Sequence, residues 1–463
     1  MRFEVPVDLM VGVSGVRGRV GAGLTPEVVA RFAAAFGAHL LDTVGARPRV
    51  IVARDSRTSG PMFERVVTAA LQSTGCDVIA AGLVPTPTAL YAVRHHRAAG
   101  AIVVTASHNP VEWNALKFAS GEGMFLDAEQ AARMRAWLSD RPIPRAPWDG
   151  LGAIESDPDA ADRHLAAVLA IPFLDLAGLR SRKLRVALDC VRGAGGVLLP
   201  RLLNELGCEV LGIHLEADGR FPREPEPVAE NLGELERLVR ETGADVGLAT
   251  DPDADRLSIV SNTGRAIGED LTLALAAEVV LRHRVGPVVT NLSTSRVVAD
   301  VAARAGAPFE RAPVGEIHVA RAMQRVGAVV GGEGNGGVIL PGIHLTRDSA
   351  VATALVLQAI LEAGVPLDRH IAGYNAYSIV KAKLPRGDGP VDAVFRTLEE
   401  RLAAPGVDRR DGLHLDWPDR RQWLHLRASG TEPILRIIAE APTGAAARDL
   451  VEVARGALAG THV

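Results

Sequence analysis

Three aspartates stand at alternate positions in "DPDADR": Asp251, Asp253 and Asp255, with Arg256 directly after them. Carboxylates this close repel one another unless a cation lies between them. An all-oxygen set suits a hard ion such as Mg²⁺, which keeps positions open for phosphate oxygens. An EF-hand is excluded, because its sixth position is glycine and its twelfth glutamate, whereas here they are Arg256 and Asn262. A second group lies in "AIVVTASHNPVEWNALKF", where an apolar run ends by displaying Ser107 and His108, with Lys117 a few residues on. Adjacent serine and histidine do not make a triad, and there is no GxSxG elbow. Taken alone, Ser107 and Asn109 make a turn before Pro110. Beside a metal loop, Ser107 suits another role: carrying a phosphoryl group whose oxygens the metal neutralises. Lys117 is then placed to give and take the proton of an attacking hydroxyl.

Two further loops fit that chemistry. In "RASGTEP", Arg427 supplies a fork of donors, Ser429, Gly430 and Thr431 supply hydroxyls and close backbone amides, and Arg436 follows. Such a set suits an oxyanion with several acceptor oxygens. "GGEGNGG" formally contains GxGxxG at Gly332, Gly334 and Gly337. A dinucleotide site needs a helix next, whereas "VILPGIHLTRD" is apolar and broken by Pro341 and Gly342. These glycines instead let the backbone and Glu333 approach a small polar ligand. No GxxxxGK[ST] occurs, so a P-loop kinase is unsupported.

The elements that must hold these loops repeat. "RVIVARDSRTSG", "LRVALDCVRGAGG" and "PVVTNLSTS" each open a plan of strand, polar turn, helix and glycine. The helical runs are 62–73, 197–205 and 296–304, ending towards Gly75, Gly207 and Gly306. Each repeat then offers a strand that ends in one of the loops: "AIVVTASHNP", "ADVGLATDPDADR" or "VGAVVGGEGNGG". Alternating short strands and helices predict α/β domains with helices on both faces of mixed or parallel sheets. Ligands collect at the carboxyl ends of such strands. Three similar domains, 1–150, 151–257 and 258–370, would each aim one loop at a central cleft. The remainder, 371–463, carries alternating strands and terminal helices and reads as a smaller α+β domain.

Composition is that of an ordinary soluble globular protein. The chain has 463 residues, 48% hydrophobic and 23% charged, enough for several cores, and a formal net charge of −4. No broad basic field is available for a nucleic-acid backbone. Cys76, Cys190 and Cys208 lack CxxC spacing, which argues against a disulfide framework and for a reducing cytoplasm. The polar start does not read as a signal peptide, and no apolar run reaches membrane-spanning length. Oligomeric state is not readable.

Together the loops resemble the α-D-phosphohexomutases, the family of phosphoglucomutase, phosphomannomutase and phosphoglucosamine mutase, in order along nearly the whole chain. "VSGVRG" resembles the family's N-terminal signature, "TASHNP" its phosphoserine loop, "DPDADR" its Mg²⁺ loop, "GGEGNGG" its sugar-reading loop and "RASGTEP" its phosphate loop. The resemblance implies an isomerase acting on a phosphosugar through a hexose 1,6-bisphosphate that reorients in the cleft. It implies that phospho-Ser107 and the three aspartates hold Mg²⁺, and that Arg17, Lys117 and His108 act near the serine. It places Arg256 beside the metal, Glu333 and Asn335 on sugar hydroxyls, and Arg427, Ser429, Gly430, Thr431 and Arg436 on the phosphate that stays.

Several positions depart from the common pattern. Asn114-Ala115 replaces Asn-Gly before the lysine, and Asn335 and Gly337 stand where many members have the serine and histidine of "GExSGH". Glu316 follows Gly315 where many phosphomannomutases have histidine. A carboxylate there would meet the ammonium of a 2-amino sugar, or only cap a helix. "GEGNGG" with "RDS" (Arg347 to Ser349) is most similar to the phosphoglucosamine mutase branch. Two other classes stay open: a phosphatase using Asp251 as nucleophile, and a non-catalytic phosphosugar-binding protein.

Overall fold

The computed structural model describes residues 6–13, 15–139, 141–385, 391–428 and 434–459. Its strands form four sheets of seven, four, four and five strands. The first three share one core plan. A first strand (Arg49–Arg54, Arg185–Asp189 or Val288–Asn291) lies parallel between a second (Asp77–Leu83, Glu209–Ile213 or Phe309–Ala312) and a third (Gly100–Val104, Val246–Thr250 or Val330–Glu333). A fourth strand (Trp113–Ser120, Leu257–Ser261 or Gly337–Ile339) turns back antiparallel on the third. Each sheet is therefore mixed.

The third strands are buried at every position, as befits strands covered on both faces. Crossover helices follow the first strands: Gly60–Gln72, Gly195–Glu205 and Arg296–Arg304. Gly75, Gly207 and Gly306 lie beyond them at φ 88°, 77° and 65°, the left-handed region that ends a helix without Cβ strain. The polar loops sit between third and fourth strands, so the fold puts all three at equivalent corners. The first sheet runs on to Ile154–Ser156 and the second to Leu257–Ser261, a few residues beyond the divisions expected at 150 and 257.

The fourth sheet is antiparallel throughout, in the order Ser378–Pro385, Ile434–Ala441, Gln422–Ala428, Leu413–Trp417, Gly406–Asp408, and packs with helices Val391–Leu402 and Gly444–Ala459. Two features of the core matter for function. One apolar cluster runs continuously through the first three sheets and the helix Ser349–Ala363. The fourth sheet has its own cluster, around Leu398, Leu424 and Ile437. Among the described residues no helix is long and apolar enough to cross a membrane.

Candidate active site

The serine loop is held from beneath by one buried arginine. Arg57 spends all five N–H donors: Nε on Asp55 (3.2 Å), Nη1 on the carbonyls of Pro110 (2.7 Å) and Trp113 (2.8 Å), and Nη2 on those of Ser107 and Asn109 (both 2.6 Å). Asp55 also accepts from Thr105 Oγ1 (2.6 Å), which in turn accepts from the Ser107 amide (3.0 Å). This scaffold keeps Ser107 at φ 49°, a left-handed setting unusual for a residue with a side chain and one that marks functional corners. Nothing in the sequence reading singled out Arg57. Its signal is the polar "RDSRTSG" that ends a buried strand, the sheet neighbour of the strand that ends at the serine loop.

Ser107 Oγ donates to Asp251 Oδ2 at 2.7 Å and lies 3.3 Å from His108 Nδ1. Burial and the neighbouring Arg256 push the His108 imidazole down to about 2, so it is neutral near pH 7. Asp251, Asp253 and Asp255 are all fully buried, with ligand oxygens within 4.8 Å of one another. Burial, then repulsion from Asp253 and Asp255, holds the Asp251 carboxyl well above its ordinary range. Burial also pushes Asp253 up, but the Lys117 charge together with hydrogen bonds from Asp251, Lys117 and Thr86 keeps it low. Lys117 Nζ lies 2.7 Å from Asp253 Oδ2 and 3.8 Å from Asp255 Oδ2. Burial works against the lysine's charge, but these two carboxylates raise its pKa above the ordinary value, so it is an ammonium. Asp253 Oδ1 and Asp255 Oδ1 are buried without a hydrogen-bond partner. Orphaned carboxylate oxygens are costly, and a hard cation at this trio would satisfy both. The residues thus fit Mg²⁺.

The sugar-loop candidates gather around Arg347. Its guanidinium reaches Asp255 Oδ2 (2.5 Å), Glu333 Oε2 (2.9 Å) and Glu316 Oε2 (3.1 Å). Glu316 accepts further from the Arg347 amide (3.0 Å) and from the Thr346 hydroxyl. Glu333 Oε1 accepts from Asn291 Nδ2 (2.8 Å) and the Gly315 amide (3.0 Å). Glu316 is the first residue of the helix Glu316–Val326, yet among the described residues its carboxylate is turned to Arg347 and Thr346. Asn335 Oδ1 accepts from the Gly337 amide at 3.3 Å. The loop is sewn to the metal loop, since the Leu257 amide donates to the Gly336 carbonyl at 3.0 Å. Gly336 sits at φ 85°, and a Cβ there would come within 2.4 Å of the Leu257 carbonyl oxygen.

The remaining candidates are more dispersed. Arg17 is exposed and donates to Asn109 Oδ1 at 3.1 Å. Arg256 Nη1 meets Glu226 at 3.2 Å, while its amide approaches Asp251 at 3.3 Å. Arg427 pairs with Asp411 at 2.8 Å and faces Arg436 directly across two strands. Lys383 faces Arg436 from the other side, so three cations form a row over neighbouring strands. Like charges directly opposite destabilise a sheet, and a bound anion would relieve this row. Lys383 was not foreseen, because its register with Arg436 exists only once the strands pair. Ser14, Ser429, Gly430 and Thr431 lie outside the described residues.

Family models described as phosphoglucomutase/phosphomannomutase, alpha/beta/alpha domains I, II and III and C-terminal domain, match residues 8–140, 162–264, 268–377 and 380–457. The phosphoglucomutase/phosphomannomutase of Thermococcus kodakarensis is 38% identical over 96% of this chain and 97% of its own. A probable phosphoglucosamine mutase of Methanopyrus kandleri is 36% identical over 95% of each chain. A solved phosphoglucomutase/phosphomannomutase family protein from Burkholderia thailandensis superposes with a TM-score of 0.83 at 27% identity, over 97% of this chain and 98% of that one. The chain belongs to the phosphoglucomutase/phosphomannomutase family of phosphohexomutases, which are isomerases.

Proposed function

From that membership we propose that this phosphohexomutase interconverts hexose 6-phosphate and hexose 1-phosphate through phospho-Ser107 and a hexose 1,6-bisphosphate. The observation that carries this reading is Ser107 Oγ at 2.7 Å from the buried aspartate trio, with Lys117 bonded to the same trio. Asp251, Asp253 and Asp255 would hold Mg²⁺, which when bound neutralises phosphoryl oxygens. Arg57 fixes the serine's carbonyl and so the direction of Oγ. Lys117 is placed to give a proton and, as the amine, to take one back, while the neutral His108 lies within hydrogen-bond reach of Ser107 Oγ at 3.3 Å. Arg427, Arg436 and Lys383 would hold the phosphate that is not transferred. The same grip must serve the bisphosphate in both orientations.

The sugar we propose is glucosamine phosphate, supported by the names of relatives such as the Methanopyrus protein. The second reading is glucose or mannose phosphate. It is favoured by the engagement of Glu316 with Arg347, which takes up the carboxylate expected to meet an amine. A comparison of kcat/KM for glucosamine, glucose and mannose 1- and 6-phosphates, with Mg²⁺ and a hexose 1,6-bisphosphate primer, tests both. At least tenfold preference for the amino sugar is expected under the first reading. Equal or better use of the neutral sugars would replace it with the second, and no turnover of any would overturn the mutase reading.

A further inference from the structure

One buried cation touches both halves of the site. Arg347 precedes Asp348, whose Oδ1 accepts from the amides of Ala350 (2.8 Å) and Val351 (3.3 Å) and so caps the helix Ser349–Ala363. Asp348 Oδ2 lies 2.8 Å from both His164 Nε2 and His344 Nε2. The backbone that carries Arg347 is thereby fixed on the second and third domains at once. From there its three nitrogens reach carboxylates on three separate segments: Asp255 of the metal loop, Glu333 at the mouth of the sugar loop and Glu316 at a helix start.

The space it fills is also defined. A Cβ placed on Gly337 would lie 2.2 Å from Arg347 Cδ and 2.8 Å from its Cγ. The Gly337 backbone is not in the left-handed region, so the arginine side chain, not the backbone, forbids a larger residue there. Residues 337 and 347 therefore form one packing unit.

We propose that Arg347 is a positioning residue that couples the metal loop to the sugar-reading loop, and that Gly337 is the vacancy it requires. The proposal rests on the mutase reading for the identity of the two ligands. Asp255 Oδ2 and Glu333 Oε2 share one planar guanidinium. A shift of either carboxylate on binding its own ligand moves the donor held by the other. Such a linkage is reciprocal, and typical couplings span about 5–150-fold.

The test is Mn²⁺ affinity, measured by electron paramagnetic resonance of free Mn²⁺. It is read with and without saturating hexose 6-phosphate, using whichever of glucosamine or glucose 6-phosphate the wild type turns over better. Ser107→Ala is used as the background so that no turnover intrudes. With Arg347 in place, the sugar phosphate should change Mn²⁺ affinity by about fivefold or more. The change should be less than about twofold in Arg347→Met and in Arg347→Lys, because a point-charge ammonium cannot bridge three carboxylates. Equal coupling in all three proteins overturns the proposal. A second arm guards against misfolding and needs no sugar. Gly337→Ala should weaken Mn²⁺ binding severalfold in the Arg347 protein and have no further effect once Arg347→Met is present. Additive effects overturn the shared packing unit. If the wild type turns over no hexose phosphate, the mutase reading fails, while this second arm still decides the pairing of 337 and 347.

Discussion

At the scale of single residues, the groups we propose for the chemistry were legible and those that hold them were not. Ser107, Lys117 and the aspartate trio announce themselves because polar residues end apolar runs. Arg57 does not, because its partners are backbone carbonyls of a loop 50 or more positions away. Arg347 was noticed only as part of "RDS", since three acids converge on it from segments far apart in sequence. For the same reason Glu316, expected to meet an amine or cap a helix, is found paired with an arginine instead. Arg57→Ala should cost about 3–5 kcal/mol, the penalty for leaving a buried partner charge, here Asp55, uncompensated. Denaturant unfolding measures that cost. The milder Arg57→Lys keeps the charge but not five donors, and should lower kcat at least tenfold with a smaller loss of stability. Wild-type kcat in Arg57→Lys would contradict the view that this guanidinium aims the serine.

At the scale of elements, the three repeats were readable from period and punctuation: apolar strands, helical spacing and a glycine stop. The fourth, antiparallel strand of each sheet was harder. "LSIVS" and "GVI" are too short for a period to declare their direction, which comes from the tight loop before them. Strands Gly406–Asp408 and Leu413–Trp417 and the His–Asp–His junction depend on tertiary pairing and left no local mark. That junction makes Asp348 an element-scale test. Asp348→Ala removes a helix cap, worth about 1 kcal/mol, and leaves two buried histidines without their shared acceptor, at about 1–3 kcal/mol each. A loss of about 3–7 kcal/mol in urea unfolding is expected. A loss under about 1 kcal/mol would mean that the junction does not hold the Arg347 segment.

At the scale of the whole molecule, one apolar cluster links the first three domains, which also keep smaller clusters of their own, whereas the fourth sheet has only a separate one among the described residues. Polar links to the third domain among the described residues include Arg296 to Asp416 (2.5 Å), Ser293 to His425 (2.9 Å) and the Val314 amide to Asp411 (2.9 Å). Calorimetry should therefore show two unfolding transitions rather than one. The step that belongs to the fourth domain gains pH dependence from two buried imidazoles, His425, which burial pushes down to about 4, and His414, which lies against Trp423 with ring centroids 5.4 Å apart. Burial, then the Arg311 charge, pushes the His414 imidazole down to about 2. Its unfolded form takes a proton below about pH 6.5, while the folded form does not. Its contribution is thus present above that pH and lost on acidification, by about 1 kcal/mol between pH 7 and 5.5. His414→Phe should reduce the acid sensitivity of that transition by this amount and leave the other unchanged. A single transition, or an acid sensitivity that His414→Phe does not alter, would contradict the separation.

The phosphoserine is the central claim, and its most direct measurement is phosphopeptide mapping. The protein is incubated with Mg²⁺ and glucose 1,6-bisphosphate, quenched in acid and digested, and the peptide carrying 101–118 is sequenced by mass spectrometry. Acid-stable phosphate is expected on Ser107, and it should disappear when a hexose monophosphate is added in excess. Acid-labile label on Asp251, or turnover with Ser107 never phosphorylated, would contradict the claim.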